Sequence, residues 1–251
     1  MSGPLRLEDS ARTDVGCVRS ANEDSVLALP RAQLWVVADG MGGHINGKHA
    51  SSLIINAVEA APCLQDLSAA CTAVSGAIHS ANAAIFAQAQ AAGTSMGSTV
   101  VALLVRDRQF IVLWAGDSRA YIYRDETLHQ LTRDHTQVQE MVDRGIVRPD
   151  EASHHPMGHV ITRAVGVYEP LELDAILDDA LPGDIFLLCS DGLHNVLTDM
   201  EIAELLAKHG AHSSEPLIAA CVKRGAPDNV SVITVSASEP TLLTPMRELD
   251  S

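Results

Sequence analysis

The chain has 251 residues, a hydrophobic fraction of 47% and a charged fraction of 20%, a globular composition with length for one large domain or two small ones. Lys and Arg number 17 against 32 Asp and Glu, a net charge of −15, which argues against a broad nucleic-acid or anionic-membrane surface and supplies many carboxylates that could hold cations. Apolar runs such as 100–105 and 185–189 are too short to span a bilayer, the N-terminus has no apolar signal segment, and the five scattered cysteines form no Cys-x-x-Cys pair, so a soluble cytoplasmic protein without disulfides or a zinc ribbon is expected.

Residues 1–10 predict a frayed start. Strands are expected at 13–18 and 25–29, separated by the polar segment Arg19-Ser20-Ala21-Asn22-Glu23-Asp24. The apolar run Leu34–Ala38 has strand composition and ends in Asp39-Gly40-Met41-Gly42-Gly43-His44. Asp-Gly is a hairpin signal, but no strand pattern follows. Residues 47–61 read as a helix with Ala50, Leu53, Ile54, Ala57, Val58 and Ala61 on one face. A second helix is expected over 66–92, with Leu67, Ala70, Val74, Ile78, Ala81 and Ile85 at three- and four-residue steps. Strands at 98–105, 109–114, 120–123 and 128–131 then suggest an antiparallel meander. Trp35 and Trp114 read as core.

Between 132 and 166 the pattern breaks. A short helix at 135–144 precedes a loop rich in Gly, Pro and His, and an irregular insertion of this length is usually functional. Strands near 171–177 and 184–189 follow, with Cys189 reading as core. Helices are expected at 199–209 and 215–224 and a last strand at 230–235, and the tail from Ser236 reads as loosely held. The order is not an alternating βαβ pattern. It predicts an α+β fold, an antiparallel sandwich with helical layers outside the sheets.

The Asp39 pattern recurs. An apolar strand ends at Ser190-Asp191-Gly192, another runs into Gly116-Asp117-Ser118, and Asp228-Asn229 immediately precedes a strand. If these strands are neighbours in two packed sheets, their carboxylates converge at one edge. Converging carboxylates repel each other unless cations neutralise them, and an all-oxygen donor set favours Mg2+ or Mn2+ over zinc. Singly, each of these aspartates reads more readily as a turn or cap residue, and it is the recurrence that favours a shared site.

Arg19-x-x-x-Glu23-Asp24, Asp39-Gly40-Met41-Gly42-Gly43, Gly116-Asp117-Ser118-Arg119, Ser190-Asp191-Gly192 and Asp228-Asn229 occur in this order. Together they resemble the metal-dependent protein serine/threonine phosphatases of type 2C, in their compact bacterial form, over about residues 11–236. The resemblance implies a four-layer α-β-β-α sandwich with a catalytic domain over 11–236, a mobile flap at about 134–166 and a flexible tail at 237–251. It implies two Mn2+ or Mg2+ ions, with Asp39 bridging them, the Gly40 carbonyl on the second, Asp191 and Asp228 on the first, and Glu23 near the second through water. Asp117 matches a third, weaker metal position, with Ser153 near it. Arg19 matches the arginine that grips the substrate phosphate. The implied reaction is in-line attack of metal-activated water on phosphoserine or phosphothreonine, without a covalent intermediate.

Met41 stands where many eukaryotic relatives carry a histidine proposed to protonate the leaving group; methionine cannot do so, and His44 is the candidate that remains nearby. His154, His155 and His159 fit no standard zinc spacing. The expected partners are phosphorylated proteins made by a bacterial serine/threonine kinase, with a monomeric catalytic domain, no nucleic acid and no membrane. Two other readings differ in class. A non-catalytic relative that binds phosphoproteins would typically have lost ligands among Asp39, Asp191 and Asp228. A haloacid-dehalogenase-type phosphatase needs Asp-x-Asp, and Asp39-Gly40-Met41 lacks the second carboxylate.

Overall fold

Valine, leucine and isoleucine runs without polar alternation form strands covered on both faces, and this explains the centre of the molecule. In the computed structural model, which describes residues 3–240 except 153, 154, 159 and the His44 side chain, ten strands form two antiparallel five-stranded sheets. The first has the order β1 (Arg6–Asp14), β12 (Val230–Ser238), β11 (Ile185–Cys189), β8 (Arg119–Arg124), β9 (Thr127–Gln130). The second has the order β10 (Asp174–Asp179), β7 (Gln109–Ala115), β6 (Val100–Arg106), β3 (Leu34–Ala38), β2 (Ser25–Leu29). A two-residue ladder joins β4 (Gly40–Met41) to β5 (Gly97–Ser98).

Alternate residues of each central strand serve different layers. Trp35 and Val37 face the other sheet and share a core with Phe186, Leu188, Ile233 and Val235. Val36 and Ala38 face outward, onto α1 (His44–Glu59) and α2 (Leu67–Ala92). Leu187 and Cys189 face the opposite way, onto α6 (Asp199–His209) and α7 (Ser214–Lys223). The Phe110 and Phe186 rings meet edge to face between the sheets, 4.8 Å apart. The layers are therefore α-β-β-α, as expected.

On length and composition α2 could cross a membrane, but Ala70, Val74, Ile78, Ala81 and Ile85 are buried on the face turned to the sheet. Asp66 caps its start, accepting from Ala69 N at 2.7 Å, and Gly93 at φ 62° ends it. The segment 134–166 holds α3 (Gln137–Asp143) and α4 (Pro149–Ala152). Bridges from Thr136 to Ile161 and from Ser98 to Val165 tie it down.

Two terminal expectations are corrected. Residues 6–10 are not frayed: Arg6 to Asp14 pair with Ser238 to Val230 along the whole of β1. Ser236–Ser238 likewise belong to β12 rather than to a loose tail. β1 is a half-exposed edge strand, so its polar residues hide the strand signal. The strand expected at 171–177 is displaced to β10.

Candidate metal centre

The registers decide where the acids go. Ser25 pairs with Ala38, Val100 with Ala115, Arg119 with Cys189, Cys189 with Val232 and Asp14 with Val230. All these residues lie at one end of the sandwich. The residues just beyond them are Glu23, Asp39, Asp117, Asp191 and Asp228. They line one cavity of about 340 Å³ together with Arg19, Gly40 and Asn229. Every ligand expected from the sequence is thus brought to one place. Among the described residues no three His, Cys, Asp or Glu side chains close into a tight cage; the acids form the wall of an open hollow.

The backbone beneath these acids is fixed by hydrogen bonds. Asp39 N donates to Thr99 Oγ1 at 3.1 Å, and Asp39 O accepts from Thr99 N and Ser98 Oγ, both at 2.9 Å. Asn229 holds the loop carrying Arg19 and Glu23: its Nδ2 donates to Val15 O and Ala21 O at 2.9 and 3.0 Å, and its Oδ1 accepts from Glu23 N at 2.8 Å. Asp191 opens the short helix α5 (Asp191–His194), where Asn195 Nδ2 donates to its Oδ2 at 3.1 Å. Arg19 Nη2 donates to Asp228 Oδ2 at 2.7 Å, and this bond is the main cause that raises the guanidinium's pKa.

Glycines provide the close approaches. A Cβ on Gly47 would overlap Glu23 Oε2, and one on Gly40 would overlap Gly47 O. A Cβ on Gly192 would overlap Asn229 O, which is backbone and cannot swing away. We expect Gly192→Ala to cost about 1–3 kcal/mol by overpacking and to weaken divalent-cation binding, because it separates the segments carrying Asp191 and Asp228. Urea unfolding and calorimetric Mn2+ titration check the two effects.

The charges are poorly offset. Burial, then the charges of Asp24 and Asp191, push the Asp39 carboxyl well above the usual range. Burial and then Asp191 push Asp117 up to about 7. Nothing local in the sequence assigns a role to Asp24, although it completes an acid pair at the start of a strand. It is buried, accepts from Ser231 Oγ at 2.7 Å and Ser190 Oγ at 2.8 Å, and burial raises its pKa to about 6. Its Oδ1 is buried with no hydrogen-bond partner. Oxygen donors with excess negative charge fit hard divalent cations.

His135 is another residue without a role in the sequence reading. It is buried and stacked on Trp114, and its Nδ1 accepts from Gly116 N at 3.1 Å while Nε2 lies 3.2 Å from Asp174 Oδ2. The Gly116 bond requires the Nε2–H tautomer, so His135 braces the turn that carries Asp117. Trp35, Trp114 and Cys189 are buried, as expected. His44 opens α1, but its side chain lies outside the described residues, as do Ser153, His154 and His159. His155 Nδ1 accepts from Met157 N at 3.2 Å, a bond within its own turn.

Comparison with known proteins agrees with this geometry. The family model "Protein phosphatase 2C" matches residues 19–224. The serine/threonine protein phosphatase PstP of Mycobacterium tuberculosis is 39% identical over 232 residues, covering 91% of this chain and 45% of its own length. The chain therefore spans about half the length of that relative. The structure of PppA, described as a key regulatory component of T6SS in Pseudomonas aeruginosa, is 41% identical with a TM-score of 0.88, covering 94% of this chain and 100% of its own. The catalytic domain of PstP in complex with 2 manganese ions is 38% identical with a TM-score of 0.82, covering 93% of this chain and 99% of its own. Five motifs in order, their carboxylates at one sandwich end and a matching family model lead to one statement: this chain belongs to the protein phosphatase 2C family.

Proposed function

We propose that the chain is a metal-dependent phosphoprotein phosphatase that hydrolyses phosphoserine and phosphothreonine by direct attack of water. The observation that carries this is the convergence of Glu23, Asp39, Asp117, Asp191 and Asp228 on one cavity with the Arg19 guanidinium on its wall. Asp39, Asp191 and Asp228 would hold two ions, with Glu23 and the Gly40 carbonyl contributing to one, and Asp117 would hold a weaker third. Mn2+ or Mg2+, when bound, supplies the Lewis acidity that makes water a nucleophile near neutral pH and offsets charge on the phosphate. The PstP catalytic domain with its 2 manganese ions supports this choice of metal.

The chain's own work is binding and orientation. Arg19 is half-exposed at the cavity, so its planar fork can meet two phosphate oxygens and hold phosphorus in line for attack. Among the described residues lining the cavity there is no serine, threonine, cysteine or histidine. This favours water over a hydroxyl or thiol as the nucleophile. It also leaves protonation of the leaving alkoxide to His44 or to a bound water, since Met41 lines the cavity and carries no proton.

Arg19→Ala is expected to lower kcat/KM for a phosphopeptide about 10- to 100-fold, the worth of a charged hydrogen-bond pair. Most of the loss should be in KM, with Mn2+ affinity unchanged or higher because Asp228 loses its competing partner. Steady-state kinetics beside a calorimetric Mn2+ titration separate these effects. A larger loss of metal affinity than of substrate use would remove Arg19 from the phosphate.

The general test is Mn2+-dependent hydrolysis of p-nitrophenyl phosphate and a phosphothreonine peptide. A folded, metal-loaded sample with zero turnover would favour the phosphoprotein-binding alternative. We further propose that the substrates are products of a bacterial serine/threonine kinase, that the catalytic domain is monomeric, and that it works in the cytoplasm without a nucleic-acid or membrane partner. All five cysteines are free, the state a reducing compartment favours.

A further inference from the structure

A second and larger hollow, of about 760 Å³, opens beside the first, and Asp117 lines both. One wall is α3, which presents Val138 and Val142. The facing wall is the chain leading into α6, which presents Leu197 and Asp199.

Its charge is unbalanced. Arg119 is already engaged: its Nε and Nη2 donate to Asp134 at 2.7–3.1 Å, and its Nη1 donates to Tyr121 Oη at 2.9 Å. Asp134 and Arg119 thus cancel. His194 Nε2 lies 3.1 Å from the Asp117 carbonyl oxygen, Asp117 also faces the metal centre, and among the described lining residues Asp199 is the acid left to meet a cation. Val142 offers half-exposed apolar surface beside these acids, and the largely buried Val138 and Leu197 close the wall behind it. Apolar walls with a carboxylate rim suit a side chain with an aliphatic stem and a cationic head.

We propose that this hollow receives an arginine or lysine of the phosphoprotein substrate, within about four residues of the phosphorylated one, since extended chain advances about 3.3 Å per residue. The inference rests on the phosphatase reading and adds the sequence context that the enzyme selects. Asp199 is exposed at the start of α6, outside the metal centre. It would attract the cationic head, and Val138 and Val142 would cover the stem.

The test uses phosphothreonine peptides that carry Ala, Arg or Glu in turn at each of four positions on either side of the phosphorylated residue. They are assayed with the wild-type chain, Asp199→Asn and Val142→Lys in Mn2+, beside p-nitrophenyl phosphate. At one position or more, arginine should raise kcat/KM about three- to tenfold over alanine, through KM, and glutamate should lower it. Asp199→Asn should reduce that preference and Val142→Lys abolish it, with p-nitrophenyl phosphate turnover unchanged in both. Equal kcat/KM for all peptides, or a preference that neither variant alters, overturns the inference while leaving the phosphatase reading intact. Absence of turnover on every substrate overturns both.

Discussion

Asp39→Asn should lower Mn2+-dependent turnover of p-nitrophenyl phosphate by about a thousandfold or more, the scale of removing a principal electrostatic group from an active site. The same change should leave the fold intact. Three bonds that hold residue 39, to Thr99 Oγ1, Thr99 N and Ser98 Oγ, run through its backbone and survive the change. The lost charge also stood among Asp24, Asp191, Asp117 and Asp228, all of which oppose its ionisation. Without Mn2+ the variant should therefore melt at the same temperature as the parent or a few degrees higher. Turnover within tenfold of the parent would remove Asp39 from the centre of the chemistry, and a collapsed melting temperature would make it a structural residue.

The second large effect is a linkage between pH and metal. Asp24 and Asp117 are raised from 3.8 to about 6 and about 7, and burial raises Asp39 well above its usual value as well. A carboxyl with a higher pKa folded than unfolded binds its proton more tightly in the folded chain. The folded chain then carries more protons between about pH 4 and 7, and stability falls as pH rises through that window. His135 acts in the opposite sense. Burial lowers its pKa below 6.5, so its contribution is present above that value and is lost as pH falls. One histidine opposes three carboxyls, and the carboxyls should prevail.

Chelator-treated protein is accordingly expected to lose about 2–4 kcal/mol from this cluster between pH 5 and 7.5, or roughly 5–10 °C in Tm for a chain of this size. Mn2+ should restore the loss, raising Tm more at pH 7.5 than at pH 5, and should release protons as it binds below pH 7. Thermal melts with and without Mn2+, and titrations in buffers of different ionisation enthalpy, read both quantities. An Mn2+ shift independent of pH would contradict the charge cluster.

The ends of the buried strands were legible in sequence because an apolar run that stops at Asp-Gly carries its own boundary. Leu34–Ala38 before Asp39 and Ile185–Cys189 before Asp191 fall on β3 and β11. Helix α6 was readable to the residue, since Thr198 and Glu201 form a capping box and Gly210 follows the last turn. β1 was not: RLEDSARTD has polar residues throughout, and only pairing with β12 makes it a strand. The two-residue ladder of β4 and β5 is too short to have a period.

In the site, acids that face the cavity were legible by recurrence. Residues that act from beneath were not. Asn229, Thr99 and His135 hold the loops by bonds to backbone atoms far away in sequence, and nothing local marks such bonds. Asp24 was hidden differently. It sits beside Glu23 and looks like one more loop acid, whereas its burial depends on Ser190 and Ser231, which come from β11 and β12 ends more than 160 residues away.

The most direct measurement is diffraction at the manganese absorption edge from crystals of the chain grown with Mn2+. Two anomalous peaks between Asp39, Asp191 and Asp228, absent in Asp39→Asn crystals grown the same way, are the predicted result. A fully ordered cavity with no anomalous peak at millimolar Mn2+, or peaks only at other surface acids, would contradict the account.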